Sequence, residues 1–344
     1  MHYINGRVNW GIIGCGDVCE VKSGPAFSKV PDSFLSAVMR RDEDKAKDFA
    51  RRHNVSRYYA DATAIINDPE VNAIYIATPP SSHEEYAIQA MKAGKPVYIE
   101  KPVTLNIESC QRMIDAAAAY GIPVTVAHYR RALPLFRRVK QLVDGGDLGK
   151  IKLILLNLFQ SPKNAMLDDK TENWRVNPAF SGGGPFFDLA PHQLDIVCWI
   201  FGAPQQVVGH SVNQGKNYHA PDVTTLNTVY NGDVVFHGLW SFNVSSHARE
   251  DMFKIIGDKG TLTFPFFTSF EKATVEISTA SGTHREEFIF PVNIQQPMIG
   301  EVVNFFRGQG NNPLPAPSVR EMSPESRLKQ RRRGLPARSY TSTG

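Results

Sequence analysis

The sequence is poor in cysteine. Its 344 residues include four, at positions 15, 19, 110 and 198. Only Cys15 and Cys19 are close in sequence, and they lie on either side of a glycine turn rather than in the paired spacing of a zinc ribbon or a disulfide framework. We therefore expect reduced, buried thiols and no metal site.

Long apolar runs are also absent. No uninterrupted run is long enough to span a bilayer. The N-terminal segment MHYINGRVNWGIIG lacks the basic stretch, apolar run and small-residue cleavage site of a signal peptide. We expect a cytoplasmic protein that makes no membrane contact.

The body of the chain has little excess charge of either sign. The formal net charge is +4, but the segment from Arg320 onward carries seven basic and two acidic residues, which accounts for the whole positive excess. The run Lys329–Arg333 could bind nucleic acid, but no second basic surface accompanies it. We expect a poorly ordered, solvated basic tail over 311–344 and no nucleic-acid partner.

With 42% hydrophobic residues, the remaining chain is large enough for two domains. In the first half, short apolar runs alternate with helical patterns, which predicts parallel βαβ units and a Rossmann domain over 1–128. In the second half, closely spaced strands separated by turns such as Asn231-Gly232-Asp233 predict a mostly antiparallel sheet. One helix, around Phe187–Ile200, interrupts this α+β domain, which we place at 129–310.

A glycine signature follows the first strand. The run Gly14-Cys15-Gly16-Asp17-Val18-Cys19 has the G-x-G-x-x-G/A form, with a cysteine at the third small position. Glycines allow a tight turn and close approach of the backbone to a pyrophosphate, and the following helix supplies free N–H groups. We predict that Gly14, Gly16, Asp17 and Val18 bind a dinucleotide.

The end of the second strand should carry the residue that recognises the adenosine ribose. It holds Arg40 and Arg41 instead of an acidic residue. Guanidinium groups pair with phosphate bidentately, which favours NADP(H) over NAD. In the alternative interpretation both arginines are solvated at a helix start that Asp42 caps.

Four segments give the chain a family resemblance: WGIIGCGDV, AIYIATPPSSH at 73–83, AGKPVYIEKP at 93–102 and GGGPFFDLAPHQLD at 182–195. With them it resembles the glucose–fructose oxidoreductase, inositol dehydrogenase and MocA family. The resemblance implies a Rossmann domain followed by a domain with an open, mostly antiparallel sheet. It also implies oxidation or reduction of sugars, polyols or cyclitols, at a site formed by Lys101, Asp188 and His192.

Hydride transfer at a carbinol carbon needs a group that removes or returns the hydroxyl proton, and histidine suits this role near neutral pH. Asp188 and His192 are spaced i, i+4 and would share one helix face. We assign His192 as acid/base, Lys101 as the stabiliser of charge on the reacting oxygen and Asp188 as their positioner. The alternatives are a surface pair, a core histidine, or a zinc site with Asp195 that no motif supports.

Further residues are assigned less directly. Thr78, Pro79 and His83 follow a strand, where open α/β sheets bind ligands, and are predicted with Glu100 to contact the cofactor. The resemblance implies a cis bond before Pro102. Candidate substrate contacts are Lys22, Tyr129, Trp174 and Arg175.

Three functions compete at this point. The first is an NADP- or NAD-dependent dehydrogenase for a carbohydrate-like substrate. The second is a glycosidase that uses bound NAD for transient oxidation, and the third is a non-catalytic dinucleotide-sensing regulator. The exposed face of the antiparallel sheet is the expected interface of a homo-dimer or homo-tetramer.

Overall fold

The computed structural model describes residues 1–162, 174–267 and 271–314. Its first sheet has six parallel strands in the order β3-β2-β1-β4-β5-β6. The strands are β1 Val8–Ile13, β2 Ser33–Met39, β3 Arg57–Tyr59, β4 Ala73–Ile76, β5 Val97–Ile99 and β6 Val124–Val126. This order is that of a doubly wound dinucleotide-binding sheet, whose ligand crevice lies at the carboxyl ends of β1 and β4.

Helices connect these strands. Each connecting helix has an apolar face and defined ends. They are α1 Asp17–Val21, α2 Glu43–Arg52, α3 Ala62–Asn67, α4 His83–Lys92 and α5 Ile107–Tyr120. In α5, the side chain of Asn106 accepts a hydrogen bond from the Ser109 amide, and Gly121 ends the helix with a φ of +63°. Residues next to the helix therefore set both ends of α5.

The second sheet has eight strands in the order β14-β13-β12-β11-β7-β10-β9-β8. All neighbours are antiparallel except β7 and β10, so the predicted mostly antiparallel sheet is confirmed. The strands are β7 Ile151–Phe159, β8 Gln206–Val212, β9 Val223–Tyr230, β10 Val234–Ser241, β11 Glu250–Gly257, β12 Gly260–Phe264, β13 Lys272–Thr279 and β14 Gly282–Ile289.

Helices cover one face of the second sheet. The helices of this half are α6 Pro134–Asp144, α7 Pro178–Ser181, α8 Pro185–Phe201 and α9 Gln296–Phe306. Helix α8 is attached to the sheet by Trp240, whose Nε1 donates to Gln193 Oε1 at 2.7 Å and whose ring lies 5.0 Å from that of Phe186. The sheet therefore fixes the helix that carries two of the predicted site residues.

The last helix packs against the first domain. The ring of Phe306 in α9 lies 5.5 Å from that of Trp10 in β1, and its carbonyl accepts from the Ile4 amide. Residues 311–314 also join this domain, since Asn312 Nδ2 donates to the Val124 carbonyl at 3.1 Å and Leu314 is buried. Residues from the end of the second half thus pack against the first domain, and the division at residues 128/129 stays a prediction. The rest of the predicted tail, 315–344, lies outside the described residues.

All four cysteines are buried and none forms a disulfide. Within the described ranges, no helix is both long and apolar enough to cross a membrane.

Candidate active site

The glycine turn lies at the carboxyl end of β1 and requires glycine at its first position. Gly14 has a φ of +91°, and a Cβ there would lie 2.7 Å from Thr78 Cγ2 and 2.9 Å from the Thr78 amide nitrogen. Among the described residues, a Cβ on Gly16 would meet only the Gly14 carbonyl oxygen, at 3.9 Å, so they leave the backbone open to a ligand at this position. Asp17 and Val18 begin α1, where backbone amides have no acceptor within the helix. These features fit the pyrophosphate of a dinucleotide.

Arg40 and Arg41 follow β2 beside this turn. Arg40 is half-buried and Arg41 is exposed. The carboxylate of Asp42 accepts from the Lys45 amide at 3.1 Å, so Asp42 caps α2. Burial raises the pKa of the Cys15 thiol to about 11, and the charge of Arg40 acts in the opposite direction. Arg40 therefore lies close enough to the glycine turn to act on it electrostatically.

The predicted contacts after β4 divide into two kinds. Thr78 and Pro79 are half-buried at the carboxyl edge of the sheet, where they were predicted. His83 is fully buried, with Nε2 2.7 Å from the Thr78 carbonyl oxygen and Nδ1 3.2 Å from that of Val103. Burial lowers the pKa of this ring. His83 therefore links the loops around the crevice, and its contact with a cofactor stays a prediction.

Glu100 also faces the protein interior. Its Oε1 accepts from Tyr75 Oη at 2.6 Å and from Gln295 Nε2 at 2.7 Å. Its Oε2 accepts from the Lys101 amide at 3.2 Å. Glu100 thus has a supporting position directly beside Lys101, and its contact with the cofactor stays a prediction.

Lys101 joins the two domains. Its Nζ donates to Asp188 Oδ1 at 2.7 Å and to the Asp188 carbonyl oxygen at 2.6 Å. The lysine side chain is 10% exposed and that of Asp188 is 35% exposed, so the pair borders solvent. Burial acts to raise the pKa of Asp188, but the charge and the hydrogen bond of Lys101 outweigh it and hold the pKa below its usual value. The predicted cis bond between Lys101 and Pro102 is present.

His192 lies one turn after Asp188 in α8 and is 6% exposed. Its ring meets that of Tyr129 edge-on at 5.2 Å, and its buried Nδ1 has no hydrogen-bond partner. Burial lowers the pKa of His192 well below its usual value, and the charges of Lys101 and Arg130 lower it further. The imidazole is therefore neutral at physiological pH and can accept a proton.

The predicted substrate contacts have different positions. Arg175 lies with its Nη2 3.8 Å from Asp17 Oδ2 and its guanidinium over the ring of Trp174, which places this loop near the glycine turn. Lys22 is half-buried, and its charge acts on the pKa of Asp188. Tyr129 is buried beside His192 and supports that ring, as the alternative of packing at the domain junction implies; its contact with substrate stays a prediction.

Several residues near the site were missed. Arg131 forms a buried bidentate ion pair with Asp195, whose oxygens lie 2.5–3.0 Å from its nitrogens. Asp195 follows His192 by three residues, so helical spacing placed it on the same face, but its partner could not be inferred. His128 is buried 6.5 Å from His192 between ring centroids, and burial lowers its pKa to about 4. In the part of the chain that the structure describes, no cluster of His, Cys, Asp or Glu could hold a metal ion.

A cleft of about 360 Å³ lies beside Asp188. Among the residues that the structure describes, its lining consists of neutral polar and apolar side chains around this one carboxylate: Gln160, Ser161, Pro162, Pro185, Leu189, Tyr218 and Phe242. Ser161 Oγ is buried without a hydrogen-bond partner, and burial raises the pKa of Tyr218 to about 12. These residues come from four separate segments, and no local sequence pattern identifies them.

Comparison with known proteins agrees with this architecture. A family described as "Oxidoreductase family, NAD-binding Rossmann fold" matches residues 8–128, and the GFO/IDH/MocA C-terminal domain matches residues 136–263. Oxidoreductase P35 of Formosa agariphila is 43% identical over 308 residues, which are 89% of this chain and 93% of that protein.

Solved structures show the same fold at low sequence identity. An aldose–aldose oxidoreductase from Caulobacter crescentus, complexed with glycerol, superposes with a TM-score of 0.82 at 19% identity, covering 94% of this chain and 96% of its own. A 3-ketoreductase from Actinomadura kijaniata, in complex with NADP and TDP-benzene, gives a TM-score of 0.80 at 19% identity, with coverage of 92% and 95%.

Proposed function

Because the chain belongs to the GFO/IDH/MocA oxidoreductase family, we propose that it interconverts a hydroxyl and a carbonyl group on a sugar, polyol or cyclitol. The observation that carries the proposal is the contact of Lys101 with Asp188 and the position of His192 one helical turn away. These three side chains come from both domains, and Asp188 also lines the adjoining cleft.

The nucleotide would be held by the open backbone at Gly16 and the first amides of α1, with Thr78 and Pro79 on the adjoining strand end. Bound NAD(P) supplies the nicotinamide that accepts or returns a hydride. The domain is of the NAD-binding type, and we propose that Arg40 and Arg41 give it a preference for NADP(H).

We assign the transfer of the hydroxyl proton to His192. In oxidation its neutral ring accepts the hydroxyl proton as the hydride leaves the carbinol carbon. In reduction the ring first takes a proton from solvent and then gives it to the oxygen as the hydride reaches the carbonyl carbon. The Lys101 ammonium stabilises negative charge on the reacting oxygen, and Asp188 fixes the ammonium through two hydrogen bonds. Positive charge from Lys101 also keeps His192 in its unprotonated form.

The cleft beside Asp188 supports a neutral polyhydroxy substrate. Gln160, Ser161 and Tyr218 can exchange hydrogen bonds with hydroxyl groups, and Phe242 offers an apolar face to the C–H side of a sugar ring. The names of the structurally similar aldose–aldose oxidoreductase and 3-ketoreductase agree with substrates of this class.

The test is a panel of neutral sugars and cyclitols incubated with NADP⁺ or NAD⁺ while the absorbance of the reduced cofactor is followed. Lys101→Met should abolish most of the turnover seen with the best substrate, whereas Lys92→Met, at an exposed position in α4, should not. Unchanged turnover of Lys101→Met would contradict the assignment. Cleavage of a glycoside without net cofactor reduction would identify the glycosidase, and cofactor binding without any turnover would identify the regulator.

We also propose that the outer face of the second sheet mediates homo-oligomerisation. Leu153 and Val235 are paired neighbours on β7 and β10, and both are exposed, at 39% and 40%. An exposed apolar patch on a sheet is typical of an interface. Light scattering should give the mass of a dimer or tetramer, and a monomeric mass at micromolar concentration would contradict the proposal.

A further inference from the structure

The segment 291–295, which leads from β14 to α9, contacts the end of the helix that follows the glycine turn. Asn293 Nδ2 donates to the Val21 carbonyl at 2.5 Å, and Asn293 Oδ1 accepts from Lys29 Nζ at 2.7 Å. The amide of Gln295 donates to the Lys22 carbonyl at 3.2 Å. Residues from the end of the chain's second half thus hold the far end of α1.

The side chain of Gln295 extends from this segment to the residue before the catalytic lysine. Its Nε2 donates to Glu100 Oε1 at 2.7 Å, on the same oxygen that accepts from Tyr75. Gln295 is fully buried and Glu100 is 6% exposed. A hydrogen bond to a buried carboxylate is stronger than one between neutral groups, so this contact restrains the direction of Glu100.

We propose that Gln295 is a positioning residue, which fixes Lys101 relative to the glycine-turn helix by bonding to Lys22 through its backbone and to Glu100 through its side chain. The inference rests on the function proposed for Lys101. Since the amide of Lys101 donates to the other oxygen of Glu100, a rotation of that carboxylate would disturb the backbone from which the lysine extends.

Fold stability alone does not account for an amide at this position. Gln295 Oε1 is buried and has no hydrogen-bond partner, which disfavours the folded state. An apolar side chain of similar length would avoid that penalty, and Glu100 would keep its bonds from Tyr75 and the Lys101 amide. Only the glutamine connects the two regions: its backbone bonds to Lys22 at the end of α1, and its side chain bonds to Glu100.

The test compares Gln295→Met, which keeps the length and removes the donor, with Gln296→Met at the half-buried first residue of α9. Turnover of the best substrate, the Kd for NADPH from fluorescence titration and the thermal midpoint are measured for each. Gln295→Met should lower kcat by about tenfold or more, because a bond to a charged group is lost. Its Kd for NADPH should change by less than about threefold, because the backbone bond to Lys22 remains.

Gln295→Glu adds a pH signature that a purely structural role would not give. At low pH the new carboxyl is protonated and can donate to Glu100, whereas at high pH two carboxylates would repel each other. The kcat of this variant relative to the unaltered protein should therefore fall as pH rises. This measurement also serves if Gln295→Met does not fold.

Lys101→Met in the same assay distinguishes a failure of the role proposed for Gln295 from a failure of the proposed function. If Lys101→Met loses turnover while Gln295→Met matches Gln296→Met in kcat, Gln295 has only a structural role and the proposed function stands. A lowered thermal midpoint with unchanged kcat, or a pH-independent ratio for Gln295→Glu, leads to the same conclusion. If Lys101→Met retains full turnover, both the proposed function and the role of Gln295 are wrong.

Discussion

The two halves of the candidate site use different chemistry. The half around Gly14 and Gly16 exposes main-chain atoms to the ligand. It requires a positive φ at Gly14 and the absence of side-chain atoms at both positions. The half around Asp188 and His192 presents ionisable side chains, one half-buried and one buried, whose pKa values are shifted by burial and by neighbouring charges. Substitutions should therefore act on cofactor affinity and backbone strain in the first half, and on proton transfer and pH dependence in the second.

The largest effect is expected at His192. Gln at this position keeps hydrogen-bonding capacity but cannot exchange a proton near neutral pH, so His192→Gln should lower kcat by roughly 10²–10⁴-fold. The Kd for NADPH should stay within a few-fold of the original value, because the glycine turn is untouched. Single-turnover kinetics and fluorescence titration check the two quantities.

The matched control is His210→Gln on the exposed strand β8, which should leave both quantities unchanged. Near-normal kcat for His192→Gln would reassign the acid/base role, whereas loss of NADPH binding would show that the two halves are not separable.

The next effect concerns acid stability. Burial lowers the pKa of His128 to about 4, below the ordinary histidine value near 6.5, so between these pH values the unfolded state binds the proton and the folded state does not. Stability should therefore fall as pH decreases from about 6.5 to about 4, and His128 should contribute about 3 kcal/mol of that loss. His128→Asn should reduce the fall by a comparable amount, as measured by urea unfolding at pH 7 and pH 4.

His219→Asn provides the control because that side chain is exposed. An equal acid sensitivity of His128→Asn and the unaltered protein would mean that His128 is not held neutral by the fold.

The same contrast explains what could be predicted from the sequence. The glycine turn depends on neighbours within a few residues, so its position after β1 followed from local pattern. The i, i+4 spacing correctly placed Asp188 and His192 on one helix. The ion pair of Arg131 with Asp195 joins residues 64 positions apart and leaves no local signal.

The surroundings of two predicted cofactor contacts could not be inferred from the sequence. His83 and Glu100 follow strand ends, where ligand contacts occur, and both carry polar groups. Whether such a side chain faces the crevice or the interior depends on partners elsewhere, which are the Val103 carbonyl for His83 and Gln295 for Glu100. Sequence position identified the region correctly but could not give the direction of the side chain.

Glycine substitutions test the backbone half. Gly14→Ala would place a Cβ against Thr78 at a φ of +91°, and should lower the free energy of unfolding by about 1–3 kcal/mol. Gly16→Ala meets no close atom in the protein and should leave stability within about 0.5 kcal/mol. It should nevertheless weaken NADPH binding, because its methyl group enters the space left for the pyrophosphate. Chemical unfolding and fluorescence titration measure the two effects, and a Gly16→Ala protein with normal Kd would place the cofactor elsewhere.

The smallest effect is expected at Arg40, because it changes the choice between two cofactors and not the reaction. Arg40→Ser removes a guanidinium beside the glycine turn and should lower the ratio of kcat/KM for NADP⁺ to that for NAD⁺ by about tenfold, the value of one lost charged hydrogen bond to phosphate. Lys47→Ser removes the same charge from an exposed position in α2 and should leave the ratio unchanged. If both substitutions lower the ratio equally, the preference arises from net charge and not from a contact made by Arg40. If neither does, Arg40 is solvated at the start of the α2 segment that Asp42 caps, and the NADP(H) preference loses its support.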